Sequence, residues 1–244
     1  MAKPNTIELS NGLLIPILYE DRSVIGIDKP PGWLLAPDSW EQTARNLQLA
    51  LNSSINAGDF WARSRNLKYL RFVHRLDAET SGVLLMAKSP GALTTLSNLF
   101  ETRRVEKKYL AVVRGIPKET KWVCQLEIGP EPTAVGRMRI DEGSGKDAET
   151  HFQVLQAGTQ TALIEARPTT GRTHQIRVHL TAAGHPVLGD WLYDVKNNPD
   201  KKAGLALRAI ELVYPDPFQK RPVRIAAPTT EFIKRFGFQR SAAL

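Results

Sequence analysis

The chain has 244 residues, of which 42% are hydrophobic, and a formal net charge of +8. That is enough apolar material to bury the core of one large domain or two small ones, and the basic balance favours phosphate-rich partners over acidic or apolar ones. The single cysteine, Cys124, excludes an internal disulfide and any zinc site built on several thiolates. The first residues, Met-Ala-Lys-Pro-Asn-Thr-Ile-Glu, carry no apolar signal-peptide core, and no apolar run reaches membrane-spanning length. A cytoplasmic protein with no membrane partner is expected.

Residues 1–16 are short and mixed and are set apart as an N-terminal extension; residues 17–244 are read as the main domain. Segments 17–19 and 24–28 predict a hairpin joined by Glu20-Asp-Arg-Ser23. Lys29-Pro-Pro-Gly32 follows as a rigid turn, because proline fixes φ and glycine permits the reversal. Ser39-Trp-Glu-Gln42 has the form of a capping box, and Ala44, Leu47 and Leu51 then share one helix face. Residues 52–66 read as polar and irregular, with Arg63 and Arg65, followed by Lys68 and Arg71.

The stretch from Phe72 to Lys88 has β-prone apolar ends, Phe72-Val73 and Val83-Leu-Leu-Met86, around the turn chemistry of Asp77-Ala-Glu-Thr-Ser-Gly82. It predicts strand, polar loop, strand, with Asp77 where the first strand ends. A carboxylate mounted there is rigid and reachable, as a catalytic group should be; the alternative is an ordinary turn aspartate that binds its own backbone. Ser89-Pro90 is an N-cap with proline at the first helical position, and the helix to about residue 102 turns Leu93, Leu96, Leu99 and Phe100 inward. Arg103, Arg104, Lys107 and Lys108, with Tyr109 at their end, are either a solvated face or a phosphate track.

Segments 110–113, 122–128, 137–140, 148–155 and 161–166 read as strands, with Gly143-Ser-Gly145 as a turn. Trp122, Cys124, Leu126 and Ile128 alternate on one face, which makes Cys124 a small core residue. In the stretch from Arg167 to Asp190, Thr173 is a plausible N-cap, Gly184 a C-terminal cap and Pro186 a stop. Ile176, Leu180 and Ala183 share one face of that helix, and His174 and Arg177 share another. His174 and His179 lie about 140° apart around it, poor geometry for a shared metal, so no metal site is expected. The N-terminal end of the helix offers N–H groups suited to an anion. After a charged loop at 194–204, strands at 205–212 and 223–226 and a helix at 229–236 close the chain. The sum is an α+β domain around a largely antiparallel, mixed β-sheet flanked by helices.

His74-Arg-Leu-Asp77 followed by Thr80-Ser-Gly82, together with Gly171-Arg-Thr-His-Gln-Ile-Arg-Val-His179, Gly184-His-Pro186 and Gly189-Asp190, closely resembles the signature of RluA-type pseudouridine synthases. Asp28-Lys-Pro-Pro-Gly32, Lys107-Lys-Tyr-Leu-Ala-Val-Val-Arg-Gly115 and Ala148-Glu-Thr150 resemble the family's other landmarks, and the likeness runs from about Ile17 to Ala227. The resemblance implies a catalytic fold with a central active-site cleft. It also implies a catalytic aspartate at Asp77, a base-contacting tyrosine at Tyr109, a basic partner of the aspartate at Arg177, and Arg75 holding the flipped nucleotide's place. His74, Thr80, Arg172 and His174 in the same motifs, and Arg103, Arg104, Lys107 and Lys108, are the further candidates for substrate binding. Two positions depart from the family pattern, Ala36-Pro37 where histidine is common and Leu207-Arg-Ala209 where Leu-His-Ala is common, and both bear on fine substrate contacts. No separate N-terminal RNA-binding module is expected.

The implied reaction breaks the bond from C1′ to N1 of uridine and remakes it to C5. It needs no redox change and no group donor, so no cofactor is expected. A carboxylate can serve as nucleophile or as base, and must be ionised, a state that a neighbouring guanidinium favours. The uridine must leave its helix to be reached. The expected partner is structured RNA, ribosomal or transfer, bound by a monomer. Among other readings, a kinase-like loop fails because Gly82 stands where an asparagine is needed and no Gly-rich loop or Asp-Phe-Gly is present. A metal-dependent nuclease is disfavoured by the histidine spacing. A non-catalytic RNA-binding protein would keep the basic surface without needing Asp77.

Overall fold

The computed structural model describes residues 3–35, 45–195, 204–218 and 220–239. The predicted capping box at 39–42, Ala44, the Ala36-Pro37 departure and most of the charged loop after Asp194 lie outside these residues. The chain forms two compact units, one of residues 1–105 and 211–227 and one of residues 106–210 and 228–244. Both are α+β, and every strand pair with an assigned register is antiparallel.

In the first unit the predicted hairpin is present as β2 (Leu14–Glu20) and β3 (Val24–Lys29), preceded by β1 (Thr6–Glu8), which pairs with β2. The expected boundary at residue 16 therefore falls inside β2, and residues 6–8 and 14–16 of the N-terminal extension belong to the sheet. Asp21 fixes the hairpin turn, its Oδ1 accepting from the N–H groups of Ser23 and Val24 at 2.7 and 2.9 Å. β3 pairs with β5 (Ser81–Ala87), which also takes the two-residue β4 (Arg71–Phe72). Strand order is β1-β2-β3-β5-β12, with β13 (Pro222–Ala226) beside β12 (Leu207–Pro215). Val83, Leu85, Ala87, Val24, Leu212, Tyr214 and Ile225 pack beneath α3 (Pro90–Glu101), whose Ala92, Leu96 and Leu99 complete that core. Ser89 caps α3 as expected, accepting from the Ala92 N–H at 3.2 Å.

The segment predicted to be irregular from 52 is instead helical. α1 (Leu47–Ala57) starts at Asn46, whose side chain accepts from the Leu49 N–H, and ends at Gly58 in the left-handed conformation. Its polar residues fit a helix because Ser54 is buried and hydrogen-bonded to Trp61 Nε1 and Asp59, so tertiary partners satisfy what looked like solvent-facing loop. A single-turn helix, α2 (Phe60–Arg63), follows.

In the second unit the order is β12-β6-β11-β10-β7, with β6 (Glu106–Arg114), β7 (Lys121–Cys124), β10 (Thr150–Ala157) and β11 (Thr161–Pro168). The strand expected over 122–128 is divided: it leaves the main sheet after Cys124, and Ile128 begins β8 (Ile128–Pro130), which pairs with β9 (Met138–Ile140). Cys124 is buried, as its alternation predicted, and burial pushes its thiol up. α4 (Gln175–Ala182) starts two residues later than the predicted cap at Thr173, and α5 (Thr230–Arg235) closes the chain. No helix among the described residues is long and apolar enough to cross a membrane.

Candidate active site

Asp77 lies in the first unit, in the link from β4 to β5, half-buried. Its carbonyl accepts from the Thr80 N–H at 3.1 Å, which closes a four-residue turn. The turn is anchored from below. Gly32, at φ +78 in the Pro-Pro-Gly reversal, donates its N–H to the Ala78 carbonyl at 2.8 Å. Lys29, at the end of β3 and wholly buried, donates from Nζ to the carbonyls of Ala78 (2.7 Å), Thr80 (2.9 Å) and Pro30 (3.0 Å). The β3–β5 register, with Lys29 opposite Gly82, puts the lysine under the turn.

Two further groups hold the approach to Asp77. Val73 donates its N–H to the Leu85 carbonyl, and His74 Nε2 accepts the Leu85 N–H at 3.1 Å, so the neutral ring carries its proton on Nδ1. The His74 ring stacks on Phe100 of α3 with centroids 4.7 Å apart. His74 thus ties the loop to β5 and α3. Arg75 is exposed. Thr80 is 2% exposed and its hydroxyl finds no hydrogen-bond partner among the described residues. Arg103 and Arg104, both exposed, follow α3; Arg103 has φ +57.

The other candidates lie in the second unit. Tyr109 is on β6, opposite Ala166, and buried. Lys107 donates to the Thr170 carbonyl at 2.7 Å, and Lys108 faces Glu165 at 3.8 Å, so both lysines of the cationic run are engaged within the unit. The Gly171-Arg-Thr-His-Gln turn is built around Gln175. Its Oε1 accepts from the Thr170 hydroxyl and the Arg172 N–H, and its Nε2 donates to the Glu149 carbonyl and to Thr150 Oγ1. Arg172 Nε donates to the Asp147 carbonyl at 2.7 Å. His174 takes the helix-start position in a left-handed backbone, φ +55, with no side-chain cap.

His174 and Arg177, expected on one face, converge on Tyr193. The Tyr193 hydroxyl accepts the Met138 N–H at 2.9 Å and lies 2.8 Å from His174 Nδ1, to which it can donate. The Arg177 guanidinium lies 5.0 Å from the Tyr193 ring centre. Arg177 is itself buried and forms a two-bond pair with the wholly buried Asp190, Nε to Oδ2 at 2.8 Å and Nη2 to Oδ1 at 2.9 Å. Leu192 and Tyr193 add backbone N–H bonds to Asp190 Oδ1. His179 is buried with Nδ1 3.0 Å from Thr150 Oγ1 and Nε2 3.0 Å from the Leu126 carbonyl, and burial lowers its pKa; it is a neutral core histidine. Of the inward face predicted for this helix, Ile176 and Leu180 are buried and Ala183 is exposed beyond the last turn.

Sequence reasoning passed over Lys29, Gln175 and Tyr193. Lys29 stands in a motif that reads as a turn and as a family landmark without a role for the lysine itself, and a lysine is assigned to solvent unless a partner is visible. Tyr193 sits near the Gly189-Asp190 landmark, which was the available signal.

A half-buried carboxylate on a turn pinned by backbone and lysine hydrogen bonds, within an antiparallel α+β scaffold, is a mounting suited to a catalytic group. The family model described as RNA pseudouridylate synthase matches residues 23–182. Ribosomal large subunit pseudouridine synthase C of Buchnera aphidicola subsp. Schizaphis graminum is 33% identical, over 95% of this chain and 72% of that protein. The Escherichia coli K12 protein of the same name is 34% identical, over 90% of this chain and 68% of its own length. Among solved structures, Human RNA Pseudouridylate Synthase Domain Containing 1 superposes with a TM-score of 0.70 at 30% identity, covering 88% of this chain and 83% of that one. The chain belongs to the RluA-type family of RNA pseudouridine synthases, and it is an isomerase that forms pseudouridine in RNA.

Proposed function

We propose that Asp77 is the catalytic carboxylate and that the substrate is ribosomal RNA, with transfer RNA as the second outcome of the test. The observation that carries the assignment is the mounting of Asp77. Its turn is closed by its own hydrogen bond and pinned by Lys29 and Gly32, while the residue stays half-exposed. A side chain held so can meet a flipped uridine without reorganising. The names of the relatives, ribosomal large subunit synthases, support the choice of RNA. Tyr109 supplies a ring and hydroxyl for the base, and Arg177 supplies positive charge fixed by Asp190. Arg75, Thr80, Arg172 and His174 serve the nucleotide and its backbone. The enzyme works as a cytoplasmic monomer without a cofactor.

Asp77→Asn tests this. Asparagine is nearly isosteric but cannot attack, or accept a proton as a carboxylate does. The variant is expected to keep its circular dichroism and its RNA affinity, which rests mainly on phosphate contacts, and to lose release of tritium from uridine labelled at C5. A folded, RNA-binding Asp77→Asn protein that turns over at the wild-type rate refutes the assignment. Pseudouridine mapping in ribosomal and transfer RNA, from cells with and without the gene, identifies the target.

A further inference from the structure

Arg63, Arg65, Lys68 and Arg71 stand in a segment to which neither the motifs nor the catalytic turn gives a role. The fold uses them unequally. Arg65 turns inward: its side chain is 2% exposed, and it donates to Glu20 Oε2 (2.8 Å) and to the carbonyls of Trp61 (2.9 Å) and Pro4 (2.7 Å). Lys88, just past β5, donates to Glu20 Oε1 at 2.6 Å and to the Asp21 carbonyl at 2.5 Å. These residues form the buried side of a pocket of about 550 Å³ in the first unit. Asn66, left-handed at φ +51, reverses the chain after α2, and Lys68 then joins Lys3 and Arg22 on the exposed side of the same pocket.

Five basic and two acidic side chains line this pocket, and the acids are already committed. Both Glu20 oxygens face cations, and Asp21 accepts from the Ser23 and Val24 N–H groups and from the Tyr19 hydroxyl. The bases are not balanced in the same way. Lys3 comes only within 3.9 Å of Glu20, and Arg22 and Lys68 are exposed, with no hydrogen bond or ion pair among the described residues. Three long cationic side chains thus meet at a concavity whose own carboxylates are neutralised, which makes it a site for an anion. We propose that this pocket holds a backbone phosphate of the RNA substrate, away from the target uridine. The β3–β5 register separates the two places. Val24 pairs with Ala87 at the pocket end, and Lys29 with Gly82 at the end that carries the Asp77 turn, five residue steps away. That is about 17 Å, a few nucleotides along a strand. The pocket adds affinity there without touching the reacting nucleotide, and it does so whichever residue is catalytic.

Arg22→Gln, Lys68→Gln and the double variant test the site. The control is Arg63→Gln/Lys118→Gln, which removes the same charge from exposed positions outside the pocket. Each protein is measured for thermal unfolding, for affinity across salt, and for single-turnover tritium release at saturating enzyme. The probe is an unmodified transcript of the RNA identified by pseudouridine mapping. The pocket double variant is expected to bind at least about 10-fold more weakly at low salt, with the slope of log affinity against log salt lower by about 2. The control pair should stay within about threefold of wild type in affinity. The rate at saturating enzyme should stay within about threefold in both, because binding is lost and chemistry is not. A fragment with about three nucleotides on each side of the target is too short to reach the pocket. It should bind wild type and the double variant alike.

Equal losses of affinity in the pocket pair and the control pair overturn the proposal, because net charge then accounts for both. A double variant with the wild-type salt slope overturns it too, as does a loss of affinity that persists in full on the short fragment. UMP separates the RNA backbone from a free nucleotide as the occupant. Titrated calorimetrically, it should bind only weakly, and submillimolar binding that the double variant lacks would overturn the assignment to RNA. Thermal unfolding of the double variant should match wild type, since neither side chain is bonded within the folded chain. Should it unfold early, the single variants decide: each is expected to lower the slope by about 1, and a wild-type slope in both overturns the proposal.

Discussion

Two side chains in the motifs make opposite demands on their surroundings. Asp190 is wholly buried and accepts four hydrogen bonds, two from Arg177 and two from backbone N–H groups. Replacing it with alanine removes the carboxylate from a buried guanidinium, and breaking such a pair costs about 3–5 kcal/mol. Urea unfolding of Asp190→Ala should show a loss of that order; a loss below about 1 kcal/mol would mean the pair is not the anchor of Arg177. Thr80 is the converse. Its buried hydroxyl has no partner among the described residues, so the folded protein bears a desolvation cost of about 1–3 kcal/mol. Thr80→Val, equal in shape, should unfold at the same or higher urea concentration than wild type. A fall in turnover in that more stable protein would assign the hydroxyl to the substrate.

At the scale of elements, α3 ends in a way that opposes stability to charge. The Arg103 N–H donates to the Phe100 carbonyl and the Arg104 N–H to the Leu99 carbonyl, the two bonds of a Schellman cap. The left-handed residue of that cap is ordinarily glycine, and here it is Arg103 at φ +57. An L-residue there costs about 1 kcal/mol. Arg103→Gly should therefore raise the melting temperature by a few degrees while weakening RNA binding, if the exposed guanidinium meets the RNA backbone. Unchanged RNA affinity would return Arg103 to the solvated face.

α4 contributes a pH dependence to its unit. Burial holds His179 below its ordinary value of 6.5, so the folded state favours the neutral ring. As pH falls below 6.5 the unfolded chain binds the proton first. The stabilising contribution is complete above 6.5 and is lost as pH falls through the lower folded value. Urea unfolding at pH 7.5 and pH 5 should show a loss on acidification, and His179→Gln should show a smaller one. Equal pH slopes in both proteins would place the acid sensitivity elsewhere, for example at Glu20. Burial alone would raise that carboxyl, but hydrogen bonds from Lys88 and Arg65 outweigh it and hold it below its usual value.

For the whole molecule, a net charge of +8 makes RNA binding salt-dependent, since each neutralised phosphate releases counterions. The four cations of the run should not contribute alike. Arg104 is exposed, whereas Lys107 is tied to the Thr170 carbonyl and Lys108 faces Glu165. Arg104→Ala should lower the slope of log affinity against log salt by about 1. Lys107→Ala should lower it less and should reduce stability, because it frees a carbonyl beside the Gly171-Arg-Thr-His turn. Salt titrations and unfolding of the two variants separate the two kinds of cation; equal slopes would show that both meet phosphate.

What the sequence determined by itself is the part whose causes are local. The β2–β3 hairpin, the reversal at Gly32, the turn that begins at Asp77 and the Ser89-Pro90 start of α3 are each written within a few residues. There, proline, glycine and short polar side chains act on their own backbone. The family signature was legible for the same reason. The tertiary structure decided which polar residues leave water. Lys29, Gln175, Arg177 and His179 are buried because carbonyls, hydroxyls and a carboxylate elsewhere in the chain receive them, among them those of Thr80, Glu149, Asp190 and Leu126, and Ser54 because its hydroxyl donates to Asp59 and accepts from Trp61 Nε1. Such partners are invisible to periodicity. That is why residues 52–57 continue α1 where the sequence alone reads irregular, why His174 rather than Thr173 caps α4, and why the lysine beneath Asp77 reads from sequence as part of a turn. Burying a polar group is favourable only when every donor and acceptor is met, and only the folded chain brings those groups together.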